Sequence, residues 1–210
     1  MASMSGAAHS SGRLPQLHWA AASQAIRGES VSGDLFVVVP YNGGILIAVL
    51  DALGHGPEAA FAAKVAATTL EHYAGTPVVP LAKRCHDMLL KTRGVVAGLA
   101  TVDLRSSTLS WISIGNVEGM LLRANGPRVA IVQAGGVLGY KFPKVSANGG
   151  IPLTRGDRLI FATDGIRENF ADSIPPHEPP PRLADTLLRD FSKGTDDALV
   201  FVAEYDGGRA

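Results

Sequence analysis

Several aspartates fall where an apolar stretch of chain begins or ends. Asp34 opens a Val- and Phe-rich run, and Asp51 closes the apolar run Ile45–Leu50. Asp164 follows Thr163 behind another apolar run, and Asp196 and Asp197 precede the last one. A lone carboxylate buried beside such segments is costly. Several together are stable only where something cationic neutralises them. The basic side chains nearby in the chain are few: Arg27, Arg158, Arg167 and Lys193. Oxygen ligands clustered without cysteine or paired histidine suit hard cations such as Mg2+ or Mn2+. Two such ions roughly 3.5–4 Å apart can activate water near neutral pH and clamp both ends of an in-line displacement at phosphorus. Each acid also has a simpler reading: Asp34 as a turn cap, Asp51 as a cap for a helix near Pro57, and the other sites as plain turns. Taken jointly, with two of them directly behind buried strands, the acids favour a metal site.

The elements that must position these acids are strand-rich. His18–Ala25 reads as a first strand. Asp34–Tyr41 and Ile45–Leu50, joined across Asn42-Gly43-Gly44, read as a hairpin that delivers Asp51 at its end. Pro57 suits the first turn of a helix, Ala59–Tyr73 is strongly helix-forming, and a second helix runs from about Val79 to Arg93. Strands then follow at Val95–Asp103, Thr108–Ile114, Gly119–Arg123, Arg128–Gln133 and Asp157–Thr163. Ile174–Pro181 is a proline-rich loop, Arg182–Phe191 a helix, and Asp196–Tyr205 a last strand. Few strand–helix–strand alternations occur, which argues for an α+β layered sandwich over a doubly wound parallel sheet.

Composition narrows the function classes. The 210 residues suit a single domain, taken as 15–206, after a segment 1–14 expected to be flexible, whose Met-Ala-Ser-Met-Ser opening reads partly as an expression leader. Lys+Arg and Asp+Glu both number 19, so long-range attraction to nucleic acid is not expected. The longest apolar run near the middle is too short to span a membrane. The single cysteine, Cys85, excludes an internal disulfide framework and fits a reducing, cytoplasmic setting.

The motifs themselves resemble a known family. Glu29-Ser30-Val31-Ser32-Gly33-Asp34 resembles the Gly-Asp motif of bacterial PPM-type serine/threonine phosphatases, and Asp51-Ala52-Leu53-Gly54-His55-Gly56 resembles their Asp-Gly-x-Gly-His-Gly motif. Thr163-Asp164-Gly165-Ile166 and Asp196-Asp197-Ala198 are similar to the family's Thr-Asp-Gly and final Asp-Asp segments. Ile114–Gly119 and Gly135–Gly139 resemble the short stressosome phosphatases of the sporulation and stress-response branch. The resemblance implies an α-β-β-α sandwich of two antiparallel sheets flanked by helices, with two divalent cations, Mn2+ or Mg2+, in a cleft at one edge. It implies that Asp51 bridges the ions, that Asp164 and Asp196 complete one of them, and that Asp34 serves the other or a third nearby. The family's glycine after the bridging Asp offers its main-chain carbonyl. Here that position is Ala52, which keeps the carbonyl and adds a methyl in a tight place. It further implies hydrolysis of phosphoserine or phosphothreonine on phosphorylated STAS-domain proteins of a stressosome, resetting a stress signal.

Around this core stand open assignments. His55 could donate a proton to the leaving serine oxygen, or only shape the turn between two glycines. Arg27 could bind phosphate, or be an exposed charge. Cys85 reads as an idle thiol, and Trp19 and Trp111 as core. Two other functions would use the same acids: a two-metal hydrolase of another phosphoester, and a degenerate phosphatase domain that binds phosphoproteins without turnover.

Overall fold

The computed structural model describes residues 8–175 and 177–207. Two sheets pack face to face. The first has the order β1 (Ala8–Leu14), β2 (Leu17–Gln24), β12 (Ala198–Tyr205), β11 (Arg158–Ala162), β7 (Glu118–Leu122), β8 (Val129–Ala130). The second runs β10 (Asn148–Pro152), β6 (Thr108–Ile114), β5 (Val95–Asp103), β4 (Gly44–Ala52), β3 (Asp34–Tyr41), with β9 (Gln133–Ala134) added alongside β6. All pairings are antiparallel except β6 with β9. Helices α1 (Pro57–His72) and α2 (Val78–Met88) cover the outer face of the second sheet, and α3 (Pro180–Phe191) covers the outer face of the first. The expected α-β-β-α sandwich is the observed one.

β4 shows why an unbroken apolar run was needed. It lies between β3 and β5, with both faces covered. Ile45, Ile47 and Val49 enter the core between the sheets, whereas Leu46, Ala48 and Leu50 meet the helices. Burying a side chain of this size contributes about 1.5–3 kcal/mol of transfer free energy. The small residues Ala59, Ala62, Ala63 and Ala66 let α1 sit close on that face. On α3, Leu183, Ala184, Leu187 and Leu188 form one apolar stripe against Ile160, Val200 and Val202.

Some expectations need correction. Of the segment 1–14, read as flexible, residues 1–7 lie outside the described residues, and from Ala8 the chain forms β1, paired residue for residue with β2. Apart from Leu14, which packs against the core between the sheets, its side chains are small or polar and mostly exposed, so apolar patterning gave little signal. The expected strand Arg128–Gln133 is two short ones: β8 pairs with β7 in one sheet and β9 with β6 in the other, so the chain crosses between sheets there. β10 was not foreseen; its Asn-Gly-Gly start contains a register shift against β6. The second helix stops at Met88, several residues early.

Candidate metal and phosphate site

The acids meet at one end of the sandwich. In the β3–β4 hairpin Asp34 and Asp51 are direct cross-strand partners, an arrangement that is repulsive for like charges. On the other sheet, β11 ends at Ala162 beside the start of β12, so Thr163–Asp164 and Asp196–Asp197 emerge together. Thr163 ties the two sheets: its hydroxyl donates to Asp34 Oδ2 at 2.7 Å and accepts from the Leu199 amide at 2.9 Å. Gly165 is forced by this crowding, because a Cβ there would lie 1.9 Å from the Asp197 carbonyl oxygen.

The two adjacent acids of the Asp-Asp segment do different things. Asp197 is buried and accepts from the Ile26 amide at 2.8 Å and the Gly33 amide at 2.6 Å, so it pins the β2–β3 loop that leads into Asp34. Asp196 is exposed and accepts only its neighbour's amide among the described residues. Asp164 Oδ2 accepts from Asn116 Nδ2 at 2.7 Å. Ala52 is buried, and its methyl packs into the core beneath α1 and α2. The methyl therefore has a place, and the main chain at Ala52 is ordinary strand, hydrogen-bonded to Gly33.

Burial pushes the Asp34 carboxyl well above its ordinary value, and the charge of Asp51 adds to that, against the opposing Thr163 hydrogen bond. Asp51 is pushed up to about 7, first by burial and then by Asp164, Asp196 and Asp197. Asp164 is raised by burial and Asp196, while Lys193 works the other way. Asp51 thus feels the charge of Asp164 across the join between the sheets. Among the described residues, no three His, Cys, Asp or Glu side chains close on one point as a finished cage. What stands there is a set of hard oxygen donors that repel one another. That donor chemistry fits a small divalent cation, which would draw the carboxylates inward.

His55 Nδ1 lies 2.8 Å from Glu29 Oε1, a partner the spacing did not single out. Gly56 leaves the room for it, since a Cβ there would sit 3.1 Å from the Glu29 carboxylate. Arg27 is exposed on the loop after β2. Arg158 pairs with Glu204 and Arg167 donates to the Asp190 and Phe191 carbonyls, so neither neutralises the cluster. Sequence spacing missed Asn116, Glu29 and the holding role of Asp197. Asn116 follows a turn glycine, Gly115, which was the available hint.

A family model described as Stage II sporulation protein E (SpoIIE) matches residues 41–206. The chain belongs to the SpoIIE family. It is a protein serine/threonine phosphatase of the PPM type. The phosphoserine phosphatase RsbX of Bacillus subtilis (strain 168) is 26% identical over 139 residues, spanning 66% of this chain and 69% of the relative. A chain solved in work on the bacterial stressosome, as a modular system adapted to control secondary-messenger signalling, is 32% identical with a TM-score of 0.82, covering 90% of this chain and 99% of its own. RsbX solved with magnesium shares the fold at a TM-score of 0.85 and 20% identity, over 94% of this chain and 100% of the other. Among the described residues, no helix of this SpoIIE-family chain is long and apolar enough to cross a membrane.

Proposed function

We propose that the chain hydrolyses phosphoserine or phosphothreonine on phosphorylated STAS-domain proteins of a stressosome, with two divalent cations, Mn2+ or Mg2+. The ligands are Asp34, Asp51, the main-chain carbonyl of Ala52, Asp164 and Asp196. One observation carries this reading: carboxylates from both sheets converge and, among the described residues, no basic side chain forms an ion pair with them, while Asp51 stands between the Asp34 side and the Asp164 side. When bound, the cations supply Lewis-acid charge that favours attack by water on a dianionic ester. Thr163 keeps Asp34 oriented, and Asn116 does the same for Asp164. Asp197 holds the loop under Asp34 and leaves coordination to Asp196. Glu29 engages His55 Nδ1, which leaves Nε2 as the nitrogen that can pass a proton to the leaving serine oxygen. Magnesium in the RsbX structure and the stressosome setting of the 32% identical chain support the cofactor and the partner class.

The test is phosphate release from a phosphoserine-bearing STAS protein, measured beside nucleotides and cyclic diesters. Release is expected with Mn2+ or Mg2+, lost in EDTA and restored by either ion. Metal-independent release, or faster turnover of nucleotides, would overturn the reading.

A further inference from the structure

Lys193 stands beside the carboxylates and, among the described residues, forms no ion pair with any of them. It follows α3, and its main chain is fixed: the Lys193 amide donates to the Gly165 carbonyl at 2.8 Å, and Ile166 bridges to Ser192. Its ammonium donates to the Asp164 carbonyl oxygen at 2.5 Å. That acceptor is neutral and takes one of three N–H donors, so the ammonium keeps donors to spare, while its charge is felt by the Asp164 carboxyl nearby. Lys193, Asn116, Thr163 and Asp164 line one cavity of about 380 Å3.

Three other basic groups are committed elsewhere. Arg93 pairs with Glu58, Arg128 with Asp172, and Arg167 with main-chain carbonyls at the end of α3. Arg27, which the sequence left as either a phosphate ligand or an exposed charge, does not line this cavity. A phosphoryl group has oxygens that divalent ions at the carboxylates do not reach, and these need donors held in place beforehand.

We propose that Lys193 is the side chain that binds the substrate phosphoryl group, contacting an oxygen that faces away from the carboxylate cluster. The assignment rests on the phosphoester-hydrolase reading above. Its anchoring to the Asp164 turn through both main chain and side chain places the charge before substrate arrives.

The test compares the full-length wild-type protein with Lys193→Met, Lys193→Arg and Arg27→Met. Inorganic phosphate is titrated calorimetrically into each Mg2+-loaded protein, and Mg2+ into each metal-free protein. Lys193→Met is expected to weaken phosphate binding about tenfold or more, the loss of one charge-assisted hydrogen bond. Lys193→Arg should retain most of the affinity, Arg27→Met should change it little, and Mg2+ affinity should hold throughout. Equal phosphate affinity in wild type and Lys193→Met overturns the assignment. So does a parallel fall in Mg2+ affinity, which would make Lys193 only a support for the Asp164 turn, or a loss confined to Arg27→Met. A wild type that binds Mg2+ but neither binds phosphate nor releases it from a phosphoprotein sinks the hydrolase reading of this site as well.

Discussion

The two ends of β11 treat buried acids in opposite ways. At its start, Asp157 accepts from the Ala124 and Thr154 amides, both at 2.8 Å, and lies 3.3 Å from Arg123. Next to it, Arg158 pairs with Glu204 at 2.8 Å. Every charge there has a partner within the chain. Beyond its other end, Asp164 faces Asp51 and Asp196, and Asp34 faces Asp51 directly across the hairpin. The same sheet therefore carries one set of acids that hold the fold and another that the fold leaves mutually repelled. A carboxylate paired with a cation is architecture, whereas carboxylates left facing one another are capacity for a ligand.

The sharpest way to break this contrast is to swap acids at each end. Asp51→Asn should lower phosphatase kcat/KM by more than about 100-fold, beyond the range for losing a merely supporting partner, with no drop in metal-free melting temperature. Asp157→Ala should instead destabilise by about 1–3 kcal/mol for each amide left without an acceptor, read by denaturant unfolding, with activity per folded molecule kept. Equal stability losses in both variants would erase the distinction.

Next in size is Asn116→Ala, expected to cost about 10–100-fold in metal affinity or activity as a support for Asp164. Calorimetric titration with Mn2+ measures it, and unchanged affinity and rate would leave Asn116 outside the site.

Asp196 and Asp197 provide a comparison within one dipeptide. Asp196→Asn should weaken Mn2+ binding with the melting temperature intact. Asp197→Asn should lower the melting temperature by several degrees, because two amides lose a charged acceptor. The reverse pattern would exchange their roles.

The smallest effect is on pH. The raised carboxyls of Asp34 and Asp51 mean that the metal-free native chain holds protons the unfolded chain has shed. Their contribution to stability is complete below the ordinary Asp value of 3.8 and is lost as pH rises towards about 7 for Asp51. Melting of EDTA-treated protein should therefore decline from about pH 5 to about pH 8. Asp51→Asn should flatten that slope and saturating Mg2+ should offset it. A rise in stability over the same interval would contradict the reading.

Much of this is legible in the sequence. The hairpin bearing Asp34 and Asp51 was readable from a turn flanked by apolar runs, and β4 from a run with no polar break. β5 and β6 fell at their observed bounds. The idle character of Cys85 also held: it is fully buried, and burial pushes the thiol up to about 12. Weakly apolar segments were less readable. β1, β8, β9 and β10 are held by backbone pairing at sheet margins, where side-chain pattern carries little information.

Local chemistry and periodicity in the chain sufficed for the layered fold, because buried faces demand apolar residues at fixed intervals. They also singled out acids that folding brings together, because a carboxylate at the end of an apolar strand is conspicuous. Which acids stay bare and which are tied down was decided only by folding. Asp196 and Asp197 are indistinguishable as letters, yet one meets two amides from residues more than 160 positions away. Lys193 likewise reaches Asp164 only because α3 returns the chain to the end of β11. Partners in space across long sequence separations leave no local pattern, so their pairing is a property of the tertiary structure alone.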